Sequence, residues 1–473
     1  MSIANTHYGR EKIAQMLTEC NNIFFIGIGG INMSSLAELS KKRGYGVGGS
    51  DRVRSEICER LERSGLEIFY GHSKNNLQGY DAVVYTVAIS EDNEEYVEAC
   101  RKGLPLISRA DYMGYIMSEY KRRVGISGMH GKSTCTSMCA KVFMDAGVSP
   151  TVLSGAELSE MGGAYVLGEG EDIIFEACEY MDSFLDFCPN ISVILNIEMD
   201  HVDYFHSIEQ IRGSYRRFAD IALPSGVAVA NLDDENVRMA LDGYEGEVVG
   251  FGIDSNDARV RAKNISSQNG RYSFELVLDG ESKGMISLGV SGRHNIYNSL
   301  ACAAVADKCG ISMSDIKKGI KNFSGAHRRM EYKGQIRGAD IYDDYGHHPT
   351  EIAATLEGAR GMTEGRLFCV YQPHTYSRTA SLFDSFVTSF EKADRVIFAD
   401  IYAAREKNVY GVSSASLAEK VGDKAVFAES FERISEILKS ELKAGDVAII
   451  MGAGDIYKVF DTLNPMMKGD DGT

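Results

Sequence analysis

The chain has 473 residues, 44% of them hydrophobic and 25% charged, which suits about three globular domains and excludes disordered, collagen-like and fibrous classes. Fifty Lys and Arg against 67 Asp and Glu leave a net charge of −17, which excludes a chain whose task is to coat nucleic acid or anionic lipid. Ten scattered cysteines with no C-x-x-C pair, and no stretch near the ~20 apolar residues that cross a bilayer, point to a soluble protein of a reducing cytoplasm without membrane insertion.

From the N-terminus one grammar repeats: a short Val, Ile and Phe-rich run, a glycine-rich or polar turn, then about a dozen residues of helical periodicity. This marks βαβ units, so parallel sheets covered by helices are expected throughout. The first instance is IFFI, then Gly27-Ile28-Gly29-Gly30-Ile31-Asn32, then a helix through INMSSLAELSKKRG. The turn nearly matches the fingerprint G-x-G-x-x-G, with Asn32 in place of the third glycine. About twenty residues on, Ser50-Asp51 end the next strand, where an acid receives ribose hydroxyls. Alone, the pattern fits a nicotinamide site, a site for another pyrophosphate compound, or a tight turn. The cluster YKRR then precedes a fresh apolar strand, placing a domain boundary at residue 122.

The strongest local signal follows. Gly128-Met129-His130-Gly131-Lys132-Ser133-Thr134 lies between a predicted strand and a predicted helix, as a phosphate loop requires. Its glycines let backbone N–H groups face phosphate oxygens, Lys132 carries charge to the outer phosphates, and Ser133 offers a hydroxyl to the nucleotide's metal. Ile126 stands where the common pattern has its first glycine, so the tighter form G-x-x-G-K-S applies. A second nucleotide site favours a sugar nucleotide over NAD in the first domain, because hydride transfer needs neither a phosphate loop nor magnesium.

Two later strands end in acids: DIIFEACEY in Glu176 and Glu179, and ISVILNIEMDHVDYF in Glu198, Asp200, His201 and Asp203. One or two glutamates with Ser133 and phosphate oxygens suit Mg²⁺, whereas His201 is open to a second metal, a phosphate or a surface hydrogen bond. Residues 258–290 alternate apolar and polar and predict a β-rich insertion in the middle domain, and a break at 324–328 sets the second boundary. The resulting domains are 1–122, 123–326 and 327–473.

In the last domain Asp343-Asp344-Tyr345-Gly346-His347-His348-Pro349 and Gln372-Pro373-His374-Thr375-Tyr376-Ser377-Arg378 each follow an apolar strand. Neighbouring His347 and His348 diverge, so a shared metal is disfavoured. Hydrogen bonding to substrate and ribose, with Arg378 as a carboxylate or phosphate clamp, suits them better. A single helix is expected through TYSRTASLFDSFVTSFEKA, and the tail MMKGDDGT is expected to fray.

Taken in order, GIGGINMS, SD, VAIS, GMHGKST, EACEYMDSF, NIEMDHVDYF, GRHNIYNSLA, GAHRRME, DDYGHHPTEI, YQPHTYSRT, IYAARE and MGAGDI resemble the Mur ligases over nearly the whole chain, most closely the members that add L-alanine to UDP-N-acetylmuramate. That resemblance implies three α/β domains: an N-terminal Rossmann-like domain for the UDP-sugar, a central P-loop ATPase-like domain with a parallel or mixed sheet, and a Rossmann-like C-terminal domain that closes over ATP. It implies ATP-dependent amide synthesis in peptidoglycan precursor formation, with Mg²⁺ as cofactor, and leaves the oligomeric state open. Gly27, Gly29, Gly30, Asp51 and Ser90 would surround the uridine diphosphate. Gly128 to Thr134 would hold the ATP phosphates, with Ser133, Glu179 and His201 on metal. Asn295 and Asn298 would lie near adenine, Asp344 at the ribose, and Arg328 or Arg329 at an interdomain phosphate contact. Tyr345, His348, His374 and Arg378 would face the muramyl carboxylate and alanine. Departures are Asn32 for glycine, Thr375 for a second basic residue, and EACEY for EADES. Rival readings are a murein-recycling ligase that attaches a whole tripeptide, an NAD-dependent oxidoreductase and a non-catalytic relative.

Overall fold

A computed structural model describes residues 3–158, 163–201, 204–268, 270–404 and 406–467. Asp203 lies outside the described residues. Of the tail expected to fray, the first two residues belong to the helix Val459–Met467, and the rest lie outside the described residues too.

Three sheets follow one another along the chain. The first has five parallel strands in the order Glu67–Tyr70, Gly46–Asp51, Asn22–Ile26, Ala82–Tyr85, Leu106–Ser108. Connections leave the strand Asn22–Ile26 on both sides, so its carboxyl end opens into the crevice where open α/β sheets bind ligands. Gly27 turns the chain there with φ 84°, a value glycine accepts without a steric penalty.

The second sheet has ten strands built around a parallel block, in which Arg122–Ser127 lies between Asp172–Glu176 and Ile191–Ile194. Val124, Ile126, Ile174 and Val193 are fully buried there. They read as unbroken apolar runs because helices cover both faces. Lys132–Asp145, His294–Lys308 and Met313–Asn322 pack on one face, and Ile208–Asp220 on the other. The alternating segment forms three antiparallel strands, Val260–Gln268, Arg271–Leu278 and Glu281–Ser291, which extend one edge of this same sheet.

The third sheet has six strands in the order Glu331–Ile336, Ala339–Asp344, Val447–Met451, Leu367–Tyr371, Arg395–Phe398, Ala425–Phe427; the first pair is antiparallel and the rest are parallel. The single helix expected after Gln372-Pro373-His374 is two, Tyr376–Ser381 and Phe383–Ser389, parted at Leu382. The hydroxyls of Thr379 and Ser381 bond back to the carbonyls of Thr375 and Arg378, which competes with helix continuation.

The three units are joined by unlike seams. Tyr112, Met113, Ile116 and Met117 of the helix Arg109–Met117 share one apolar core with Phe184, Phe187 and Phe218 of the central unit. The C-terminal sheet has apolar cores of its own, and its links to the central unit include Thr350 Oγ1 to Glu198 at 2.7 Å and Arg378 to Asp200 at 3.1 Å.

Gly114 marks the first seam, since a Cβ there would fall on the carbonyl of Asp186 in the central unit. Helix propensity alone makes Gly114→Ala favourable by about 1 kcal/mol, whereas overpacking costs about 1–3 kcal/mol. The variant is expected to lose about 0–2 kcal/mol net, read from urea unfolding. A gain in stability would show that this seam yields freely.

Candidate active site

The phosphate loop is held before any ligand arrives. Gly128 at φ 146° and Gly131 at φ 84° fold the backbone between the strand Arg122–Ser127 and the helix beginning at Lys132. Asn196 braces the loop from both sides: its Oδ1 accepts from His130 N at 2.8 Å, and its Nδ2 donates to His130 O at 2.9 Å. Met129 is buried beneath, with its N–H 3.3 Å from Asn196 O. Lys132 Nζ donates to Gly128 O at 2.5 Å and lies 3.1 and 3.3 Å from the oxygens of Glu179. Burial would lower the lysine's pKa, but Glu179 outweighs it and raises it.

The two glutamates of EACEY take different places. Glu176 Oε2 accepts from Ser133 Oγ and from Gly155 N, each at 2.9 Å. Glu179 is fully buried against Lys132 and His201, whose Nε2 is 3.1 Å away. Burial raises its pKa, yet the Lys132 charge and the His201 hydrogen bond hold it below the ordinary carboxylate range. Ser133 is thus nearest Glu176, and His201 nearest Glu179.

Between this loop and the C-terminal sheet lies a cavity of about 710 Å³. The phosphate loop contributes His130, Gly131 and Thr134, the helix His294–Lys308 contributes Asn295 and Asn298, and the C-terminal unit contributes Arg329, Asp344 and Glu351. Asn298 Nδ2 donates to Asn295 Oδ1 at 2.9 Å, and a Cβ on Gly131 would meet Asn298 Oδ1 at 2.7 Å, so only glycine fits there. Asp344 accepts from Gly346 N and Met330 N, but burial pushes its carboxyl up to about 6. Arg328 is turned to Asp343 and Gly452 O, whereas Arg329 lines the cavity 3.6 Å from Glu351.

His130 joins the two units. Its Nε2 lies 3.5 Å from Glu198 and its Nδ1 3.4 Å from Glu351 across the seam. Burial opposes its charge, but the two neighbouring carboxylates, Glu198 and Glu351, raise the ring to about 9. His348 caps the helix Pro349–Arg360, with its ring 4.9 Å from that of His130. His347 faces the other way, 5.8 Å from Tyr345 and 6.0 Å from His374. The expected group of Tyr345, His348, His374 and Arg378 is therefore divided, with His348 turned to the phosphate loop. Arg378 is 3.1 Å from Asp200 and 3.3 Å from His374 Nδ1. Burial, reinforced by Arg378, pushes His374 down to about 4. Thr375 sits at φ 65°, a strained value for a β-branched residue.

A second cavity, of about 430 Å³, opens at the carboxyl end of the first sheet and is lined by Gly27, Gly30, Asn32 and Asp51. Asp51 Oδ2 also accepts from Gly29 N at 3.0 Å, which ties the strand end to the glycine turn. Asn32 thus puts an amide on the wall where the fingerprint has glycine. Ser90 does not line this cavity: it is exposed and hydrogen-bonds Asp92, helping to hold that carboxyl low. The lining includes three residues without a local sequence signal, His72, Arg109 and Gly155. Glu351 had one, since it stands three residues after His348 in a capping box.

Comparison with known families agrees with this arrangement. The model of the Mur ligase family catalytic domain matches residues 22–121, that of the Mur ligase middle domain residues 126–306, and that of the Mur ligase glutamate ligase domain residues 328–454. A UDP-N-acetylmuramate–L-alanine ligase of Clostridium novyi is 44% identical over 92% of this chain and 96% of its own. Its counterpart in Caldicellulosiruptor saccharolyticus is 44% identical over 94% and 98%. The crystal structure of a UDP-N-acetylmuramate-alanine ligase from Thermotoga maritima superposes with a TM-score of 0.80 at 26% identity, over 95% of this chain and all of that one.

The His130 bridge has a pH signature. Its folded pKa, about 9 against 6.5 when free, makes its contribution complete below pH 6.5 and lost as pH rises through about 9. The difference in unfolding free energy between wild type and His130→Gln is expected to shrink by on the order of 3 kcal/mol across that window. A pH-independent difference in urea titrations would remove the charge from the bridge.

Proposed function

Since the chain belongs to the Mur ligase family, we propose that it joins L-alanine to the carboxylate of UDP-N-acetylmuramate, converting ATP to ADP and phosphate, in peptidoglycan precursor synthesis in the cytoplasm. One observation carries the reading beyond the names of relatives. Glu176 touches Ser133 of the phosphate loop and Gly155 N with the same oxygen, and Gly155 lines the second cavity. The end of a triphosphate held by the loop would therefore lie beside whatever the second cavity holds. That is the arrangement phosphoryl transfer between two ligands requires.

In this proposal ATP occupies the larger cavity, with adenine toward Asn295 and Asn298, ribose at Asp344 and phosphates along residues 128–134. The sugar nucleotide occupies the smaller cavity around Gly27, Gly30 and Asp51, so the three domains 1–122, 123–326 and 327–473 each supply one part. The hydroxyl of Ser133 and the carboxylate of Glu176 are hard oxygen donors suited to Mg²⁺, and Glu179 with His201 forms an adjacent pair. Bound magnesium supplies charge neutralisation on the transferring phosphoryl group.

The chemistry then proceeds in two steps. A muramyl carboxylate oxygen attacks the γ-phosphorus, the bond to the β-phosphate oxygen breaks, and ADP leaves an acyl phosphate. Lys132 lies at the loop to steady the negative charge gathered there. The amine of alanine attacks the acyl carbon, the C–O bond to phosphate breaks, and the amine loses a proton. His201, His348 and His374 are the candidate acceptors of that proton. Arg378 is the cation available for alanine's carboxylate, on condition that its hold on Asp200 is shared. The seam between the central and C-terminal units excludes water from the acyl phosphate.

Phosphate release with ATP, UDP-N-acetylmuramate and a panel of acceptors tests the reading. L-Alanine is expected to lead, with glycine and L-serine within about 10- to 200-fold in kcat/KM, because one small group discriminates by only about 1–3 kcal/mol. Turnover with a free tripeptide as the acceptor and not with alanine would transfer the chain to recycling. Magnesium dependence separates the glutamates. Glu176→Gln is expected to raise the magnesium needed for half-maximal rate by about 10-fold or more, and Glu179→Gln mainly to lower kcat through Lys132. The reverse ranking would place the metal on Glu179.

A further inference from the structure

A fully buried carboxylate network lies beneath the second cavity. Glu95 is the second residue of the helix Glu94–Lys102, a position where a glutamate ordinarily meets water, yet it is fully buried. It is satisfied instead by donors from other segments. Ser50 Oγ donates to it at 2.6 Å, Asn76 Nδ2 at 2.7 Å and Ser73 N at 3.4 Å, and His72 Nδ1 lies 2.8 Å away. Burying a carboxylate is costly, and a core position at a strand end could have been filled by an apolar residue. Glu95 does not line the cavity, but His72 does, and the ring's other nitrogen has no hydrogen-bond partner among the described residues.

We propose that Glu95 is a positioning residue for the nucleoside diphosphate, a buried carboxylate that fixes the His72 ring so that Nε2 meets the diphosphate. The inference rests on the reading that the second cavity takes the UDP-sugar. The carboxylate behind the ring fixes its rotation through Nδ1 and turns the Nε2 edge to the cavity, where an N–H would donate to a phosphate oxygen. Ser50, which ends the strand beside Asp51, bonds both members of the pair, so the ring is registered to the same strand end as the glycine turn. Arg109, in the same wall, forms no ion pair among the described residues and supplies a guanidinium for the same diphosphate.

Calorimetry on the full chain with UDP and with uridine separates this role from general support. Glu95→Gln and His72→Gln are each expected to weaken UDP binding about 10-fold, corresponding to about 1.4 kcal/mol, while uridine binding changes less than 2-fold by the same measure. The double variant should be no weaker than His72→Gln alone, because the glutamate acts through the ring. In turnover, the KM for UDP-N-acetylmuramate should rise more than kcat falls. Equal losses for UDP and uridine, unchanged UDP affinity, or additive effects in the double variant would each overturn the proposal. If Glu95→Gln does not fold, His72→Gln decides by the same comparison of UDP with uridine. A wild-type protein that binds neither UDP nor uridine would overturn the assignment of the cavity itself, and the role of Glu95 with it.

Discussion

The His130 ring, held between Glu198 of its own unit and Glu351 of the C-terminal unit, is the contact on which the larger cavity depends. Without the C-terminal unit in place, that cavity would lack Arg329, Asp344 and Glu351, and the phosphate loop would face solvent. The bridge is built from charges, as is the neighbouring contact of Arg378 with Asp200. Water can replace such partners one by one, so a seam of this kind parts at far smaller cost than an apolar one. The seam between the first two units is the opposite case, with aromatic and aliphatic side chains merged into one core. In the proposed reaction, the apolar seam would keep the two cavities paired and the charged one would let ATP enter and ADP leave.

Carboxylates, fully buried at Glu179 and Glu95 and half-buried at Glu176 and Glu351, organise the rest. Glu176, Glu179, Glu351 and Glu95 each stand at the end of a strand or the start of a helix; Glu176, Glu179 and Glu95 draw donors from segments distant in sequence, and Glu351 from the two histidines just before it. A buried carboxylate accepts at several lone pairs and tolerates no missing partner, so it pins loops more firmly than an apolar contact would. The pinned groups are the ones proposed to meet substrate: Ser133, Lys132, the backbone of the histidine pair, and His72. The same rigidity explains why His347 and His348 serve different neighbours despite adjacency. Glu351 accepts from both backbone N–H groups, and the extended backbone at the cap sends the two rings apart.

Much of the molecule was legible in the linear order of residues. Alternating apolar runs and helical periods predict parallel sheets, because strands covered on both faces must be apolar throughout. The phosphate loop was legible because its glycines, lysine and serine are contiguous, and a contiguous loop carries its own geometry. The acids at strand ends were legible as a group but not as individuals: nothing in EACEY distinguishes the glutamate that meets Ser133 from the one that meets Lys132. Ser90, expected at the uridine diphosphate from the family resemblance alone, shows the opposite limit, since it does not line the second cavity.

The sequence by itself determined the local conformations and the kinds of chemistry available, because turn glycines, helix caps and apolar periods act over a few residues. Only the tertiary structure decided the partners. His72 meets Glu95 across 23 positions, His130 meets Glu351 from another sheet, and Gly155 joins the phosphate loop to the second cavity through Glu176. Such pairings depend on which strand lies beside which and on which side chains lose their water together, and neither is written in any single segment.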